Sequence, residues 1–120
     1  MDELIARLVA NAGVDRTAAE KSVGIILDFL QKEGPPDQVQ ALIGKIPGAQ
    51  ALLAAEQSTG SGLFAMGGLM GAGSKMMAAG LSMGQVQAVT KETIAFAREK
   101  AGEDTIGEIV GSIPGLGQFI

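Results

Sequence analysis

The twelve residues from Asp37 to Gly48 return, role for role, 67 positions later. Asp37-Gln-Val-Gln-Ala-Leu-Ile-Gly-Lys-Ile-Pro-Gly48 stands against Asp104-Thr-Ile-Gly-Glu-Ile-Val-Gly-Ser-Ile-Pro-Gly115, and the same slide carries Gly13–Leu53 onto Gly80–Ile120 without a gap. It sets Gly13 opposite Gly80, Asp15 opposite Ser82 and Phe29 opposite Phe96. Each copy has an acid at a helix start, apolar residues at helical spacing, a glycine expected to allow close packing, and a Pro-Gly stop. A duplicated helical unit accounts for this; the alternative is two unrelated amphipathic helices with the same punctuation. A half of about 50 residues buries too little surface to be secure alone, which favours mutual burial of the two. The expected architecture is therefore all-α: one domain, 1–120, a compact helical bundle of two pseudo-symmetric helical repeats. These are 1–57 and 63–120, joined through a Gly/Ser-rich linker at 58–62 and a Gly/Met-rich segment.

Helix signals fill both halves and strand signals are missing. Asp2 is positioned to cap a helix over Glu3–Ala12, with Leu4, Ile5, Leu8 and Val9 on one face and Gly13 as its stop. Asp15 caps a longer helix to about Lys32, with Ala19, Val23, Ile26, Leu27 and Leu30 in its stripe and Phe29 widening it. Gly34-Pro35-Pro36 must break that helix, because proline lacks the amide donor and restricts the residue before it. Asp37 then caps a short helix carrying Val39, Leu42, Ile43 and Ile46, and an alanine-rich helix follows from Ala49 to Gln57. In the second half Ser82 and Gln85 form a capping box, opening a helix to about Lys100 with Val86, Val89, Thr93, Phe96 and Ala97 inward. Gly102 stops it, Asp104 caps a last helix with Ile106, Ile109, Val110 and Ile113, and the apolar tail Leu116–Ile120 is expected to dock.

The chemistry open to the chain is narrow. Histidine, cysteine, tryptophan and tyrosine are all absent, which removes disulfides, Cys/His metal sites, thiol or imidazole catalysis and a Ser-His-Asp triad. Nine basic against thirteen acidic side chains give a net charge of −4, which argues against a nucleic-acid partner. The 47% hydrophobic content argues against disorder. No apolar run approaches the ~20 residues that span a bilayer. An acidic start at Met1-Asp2-Glu3 lacks the basic region of a secretory signal, so the cytoplasm is the expected compartment, or the periplasm if a leader has been removed.

Carboxylates are the one catalytic kit present. Glu99, Glu103 and Asp104 are close in sequence, as are Asp2 and Glu3, but each sits at a helix end, where acids serve as caps or dipole partners. Glu103, Asp104 and Glu108 lack the dense oxygen spacing of a calcium loop, so no metal is expected. Gly67-Gly68 and Gly71-x-Gly73 do not make a phosphate cradle, since no strand precedes them and no Gly-Lys-[Ser/Thr] follows. No catalytic, cofactor or metal residue is assigned.

What remains is a stretch from 57 to 74 without a single charge, whose glycines each cost a helix about 1 kcal/mol against alanine. Every methionine but Met1 lies between Met66 and Met83. Leu63, Phe64, Met66, Leu69, Met70, Met76 and Met77 are the candidate contact residues. Methionine is flexible and polarizable and suits adaptable surfaces. The cluster reads equally as core filling between the halves or as an exposed face for a partner helix, a second copy or a membrane. The membrane version is disfavoured, because the segment lacks the Lys/Arg-rich polar face of an interfacial helix.

The run Gly-[Val/Leu]-[Asp/Ser]-x-x-x-Ala, a helix ending before Pro-Pro-Asp, and Ile-Pro-Gly-Ala-x-x-Leu-Leu, with the Gly-rich middle leading into Gly80-Leu81-Ser82, resembles the bacterial VcgC/VcgE-like family. More loosely it is similar to the small all-helical YidB-like proteins. The resemblance implies a helical fold and no activity, so no site residue is carried over. The expected function is a non-enzymatic interaction module, a homodimer or a binder of another protein. The alternative is a binder of an apolar small ligand or lipid in a cavity between the repeats.

Overall fold

The helix signals resolve into seven helices and no strand among the described residues of the computed structural model, which are 2–46, 48–58, 68–113 and 117. They are α1 (Asp2–Asn11), α2 (Arg16–Glu33), α3 (Pro36–Lys45), α4 (Ala49–Ser58), α5 (Gly68–Ala78), α6 (Met83–Ala101) and α7 (Glu103–Ser112). The expected docking of Leu116–Ile120 falls outside the described residues except at Gly117.

Local chemistry explains the boundaries. Asp15 holds φ −79°, ψ 169° before α2, and its side chain accepts from the Ala18 amide at 2.7 Å. Ser82 holds φ −79°, ψ 167° before α6. There the Gln85 amide donates to Ser82 Oγ at 3.3 Å and the Ser82 amide to Gln85 Oε1 at 2.9 Å, a reciprocal capping box. The chain reaches both caps through a glycine in the left-handed region, Gly13 at φ 73° and Gly80 at φ 107°, where a side chain would be strained.

Three expected caps are corrected. Asp2 is the first residue of α1 and not the cap before it. Neither Asp37 nor Asp104 is a cap: α3 starts one residue before Asp37, at Pro36, behind Pro35, and α7 starts at Glu103 behind Gly102. Proline needs no amide partner at a first helical position and its ring presets φ, so the helix begins there. Both acids instead lie in the first turn, where the helix dipole favours negative charge. The two short helices end alike. Ile46 (φ −106°, ψ 108°) bonds Ile43 O at 3.3 Å, and Ile113 (φ −107°, ψ 112°) bonds Val110 O at 3.2 Å.

The long helices α2 and α6 touch, and the short helices α1 and α5 each pack on both of them. Helix α3 packs on α2, α4, α6 and α7, while α4 lies along α2 and α7 along α6. With five neighbours, α2 is buried without a break from Ser22 to Leu30, including Gly24 and Asp28. Helix α6 buries one face, from Val86 to Ala97, and presents Lys91 and Arg98 to solvent. The result is a compact body of 32 × 30 × 27 Å with a radius of gyration of 12.7 Å. Two buried hydroxyls fold back on their own helix, Ser22 Oγ donating to Ala18 O at 2.7 Å and Thr90 Oγ1 to Val86 O at 2.8 Å, while the buried Thr93 Oγ1 has no hydrogen-bond partner among the described residues.

Two further expectations change. The spacing puts Val9 on the inner face of α1, but Leu4, Ile5 and Leu8 fill that face and Val9 is exposed. Gly44 and Gly111, expected to allow close packing, are exposed, and a Cβ on either would meet nothing within 4 Å; Gly107 is equally open. These glycines therefore cost helix stability with no contact in return. Gly107→Ala, in the middle of α7, is expected to raise stability by about 1 kcal/mol, and Gly44→Ala or Gly111→Ala, in last turns, by roughly half that. Urea titration reads this as a higher midpoint at unchanged slope. A lower midpoint would mean that these positions are packed against something.

Candidate functional site

Helix α5 carries the described part of the Gly/Met-rich segment. Gly68, Gly71 and Gly73 leave it little intrinsic helicity, so packing against α2 and α6 must hold it. Docking fixes its rotation and splits the methionine pair. Met76 is 2% exposed in the core, whereas its neighbour Met77 is 47% exposed. Met83, the first residue of α6, is 57% exposed. Two apolar side chains thus flank the corner at Ala79–Ser82. Leu69 and Met70 belong to α5, with side chains outside the described set; Leu63, Phe64 and Met66 lie outside the described residues altogether.

Beneath α5 sits a residue that sequence reasoning missed. Asp28 is 2% exposed on α2. Its Oδ2 lies 2.9 Å from Lys32 Nζ on the same helix and 3.9 Å from Lys75 Nζ on α5. Its Oδ1 has no hydrogen-bond partner among the described residues. The Asp28-x-x-x-Lys32 spacing signals an ion pair but looks like any solvated i,i+4 pair, and nothing nearby announces that Asp28 is buried or that Lys75 of α5 reaches it.

A second polar cluster ties α1 to α6. Arg7 donates to both carboxylate oxygens of Glu99, at 2.7 and 3.1 Å, and reaches Glu3 at 3.4 Å. The hydrogen bond from Arg7 holds the Glu99 carboxyl below its ordinary pKa, and the same bond raises that of Arg7. Arg7 Cζ and Lys100 Nζ stand 5.4 and 5.3 Å from the centroid of the Phe96 ring. Across α3 and α7, the Gln38 amide donates to Glu108. Gln85 Nε2 donates to Gly13 O at 3.1 Å.

The carboxylates considered from the sequence are dispersed among these tasks. Glu99 is engaged by Arg7 and Glu108 by Gln38, while Glu103 and Asp104 are exposed in the first turn of α7. No three acidic side chains among the described residues are grouped so as to hold a metal ion. No described helix is long and apolar enough to cross a membrane. No family model matches the chain, and neither curated proteins nor solved structures show a detectable match to it.

Proposed function

We propose that this chain is a non-enzymatic helical interaction module, built from two related halves, that self-associates through the face around α5. The carrying observation is the exposure of Met77 and Met83 on either side of one corner, in a segment otherwise poor in charge. A second copy is the partner of choice on electrostatic grounds. A chain of net charge −4 repels its own copy on average, and the stretch from Met76 to Thr90, which holds both exposed methionines, carries no charge, so two copies approach there at low cost. Two-fold dimers, which bring one patch against itself, are the commonest assemblies.

Duplication is supported by the positions of the helices. Arg16 and Met83, Pro36 and Glu103, and Lys45 and Ser112 are starts or ends of paired helices, each 67 positions apart; the caps Asp15 and Ser82, and Ile46 and Ile113, share their backbone angles, whereas Pro35 and Gly102 do not. The pairs Arg7–Glu99, Gln38–Glu108, Gln85–Gly13 and Asp28–Lys75 all join the first half to the second, as mutual burial requires. On this reading VcgC/VcgE-like and YidB-like proteins are its relatives in fold, and the reading assigns no reaction.

Sedimentation velocity from about 1 to 500 μM tests the proposal, since weak pairs with small interfaces associate in that range. The expected result is a concentration-dependent rise towards dimer mass. It is abolished by Met77→Glu with Met83→Glu, at an unchanged melting temperature. A monomer throughout the range, or a dimer indifferent to both substitutions, overturns it.

A further inference from the structure

On the proposed self-association face Met77 is exposed while its neighbour Met76 is in the core. We infer that α5 is a displaceable helix, held onto α2 by the Lys75–Asp28 contact and biased towards release by the buried Asp28 carboxylate. This rests on the reading of α5 as the interaction face and adds its regulation.

The argument begins with what each state does to Asp28. With α5 docked, the carboxylate is 2% exposed, one oxygen has no donor among the described residues, and burial of an incompletely paired charge is costly. With α5 away, the side of Asp28 that Lys75 faces opens to water, while α4 still lies along α2. Lys32 does not distinguish the states, because it lies one turn further along the same helix and stays with Asp28 in both. Lys75 does distinguish them, being the described cation that α5 itself brings. At 3.9 Å its pairing is long, so it offsets only part of the burial cost.

The helix carrying Lys75 is also weakly determined. Gly71 and Gly73 lie inside it, and loose local structure of this kind opens below the free energy of global unfolding. Opening moves Lys75 and Met76 together, since they are adjacent. Met76 then joins Met77 in one apolar surface. Release of α5 is thus the step that turns two exposed methionines into a continuous face.

Opposite responses of the two partners are the signature. Asp28→Asn removes the charge at nearly constant volume and Asp28→Leu replaces it by an apolar side chain; both relieve the burial cost and favour the docked state. Lys75→Met keeps the stem, removes the cation and favours release. An ion pair with a purely stabilising role would loosen α5 in every one of these variants.

Hydrogen peroxide oxidation followed by peptide mass spectrometry reads the docking directly, because Met76 is protected only when α5 is in place while Met77 and Met83 are exposed references. On the full chain, Met76 oxidation is expected to slow roughly fivefold or more in Asp28→Asn or Asp28→Leu. It quickens by a similar factor in Lys75→Met, with Met77 and Met83 unchanged. Amide exchange of α5 relative to α2 follows the same order. Faster Met76 oxidation in all variants, or Met76 exchangeable only at the global unfolding rate, overturns the inference. Oxidation is run at a concentration where sedimentation gives a monomer, so the two proposals fail separately. A chain that never dimerises but shows the opposed responses keeps the latch and loses the self-association. A dimer without those responses keeps the self-association and loses the latch.

Discussion

Ile113→Asp is expected to cost about 3–5 kcal/mol, the range for an uncompensated buried charge, beyond the apolar burial lost with the side chain. Ile46→Asp is expected to cost the same. Both isoleucines are buried at the C-terminal cap of a short helix, with near-identical backbone angles. Ile113 reaches across to the other half: its Cδ1 lies 3.5 Å from where a Cβ on Gly34 would stand, at the corner between α2 and α3. A carboxylate there has no cation identified beside it, so the chain must open the corner or protonate. Against a total stability of about 5–15 kcal/mol, the loss removes a third or more of what holds the domain. Thermal melting followed by circular dichroism should show a drop of ~15 °C or more in Tm for either variant. The controls Ile46→Val and Ile113→Val should each cost only about 1 kcal/mol. A wild-type melt for one aspartate variant would show that its corner is not part of the core, and the paired-corner account would fall with it.

The sequence discloses what is decided locally. Asp15, Ser82 and Gln85 act on amides two or three residues away, so their caps can be read from spacing alone. Gly13, Gly34 and Gly102 mark turns for equally local reasons. The same local logic failed where two signals competed: Pro36 and Gly102 set the starts of α3 and α7, and Asp37 and Asp104 became first-turn acids. Burial decided by a distant neighbour was illegible. Met76 and Met77 differ by one position and about 100° around a helix, and only the docking of α5 on α2 and α6 says which turns inward. Val9 belongs to the same sequence stripe as Ile5 and Leu8, and stays exposed on the side of α1 that those two leave uncovered. Asp28 reads as surface beside Lys32, and only the packing of five helices on α2, one of them bringing Lys75 from more than forty positions later, buries it. The candidate segment itself was legible as a departure in composition, but not which of its side chains face solvent.

Phe96→Ala is expected to cost about 3–5 kcal/mol, the usual range for deleting a buried aromatic ring. Phe96 is 1% exposed and has the largest side chain among the fully buried described residues. Two effects contribute to its value and can be separated. The ring fills volume between the long and short helices, and its surroundings can collapse only in part. It also lies under two cations, Arg7 at 5.4 Å and Lys100 at 5.3 Å, which the negative face of the ring attracts. Arg7 is held over the ring by its two hydrogen bonds to Glu99, so its share needs no further ordering of the side chain. Phe96→Leu keeps most of the volume and removes the π face, and should cost about 1–2 kcal/mol, less than the alanine variant. Phe29, at the matching place in the first half, has no cation over its ring among the described contacts, so Phe29→Leu should cost less than Phe96→Leu. Urea midpoints for the three variants decide the matter. If Phe29→Leu and Phe96→Leu lose equal stability, the cations add nothing and only packed volume is at work. If Phe96→Ala loses under about 1 kcal/mol, the ring is not a core element, and the seam between α1 and α6 is held instead by the Arg7–Glu99 pair.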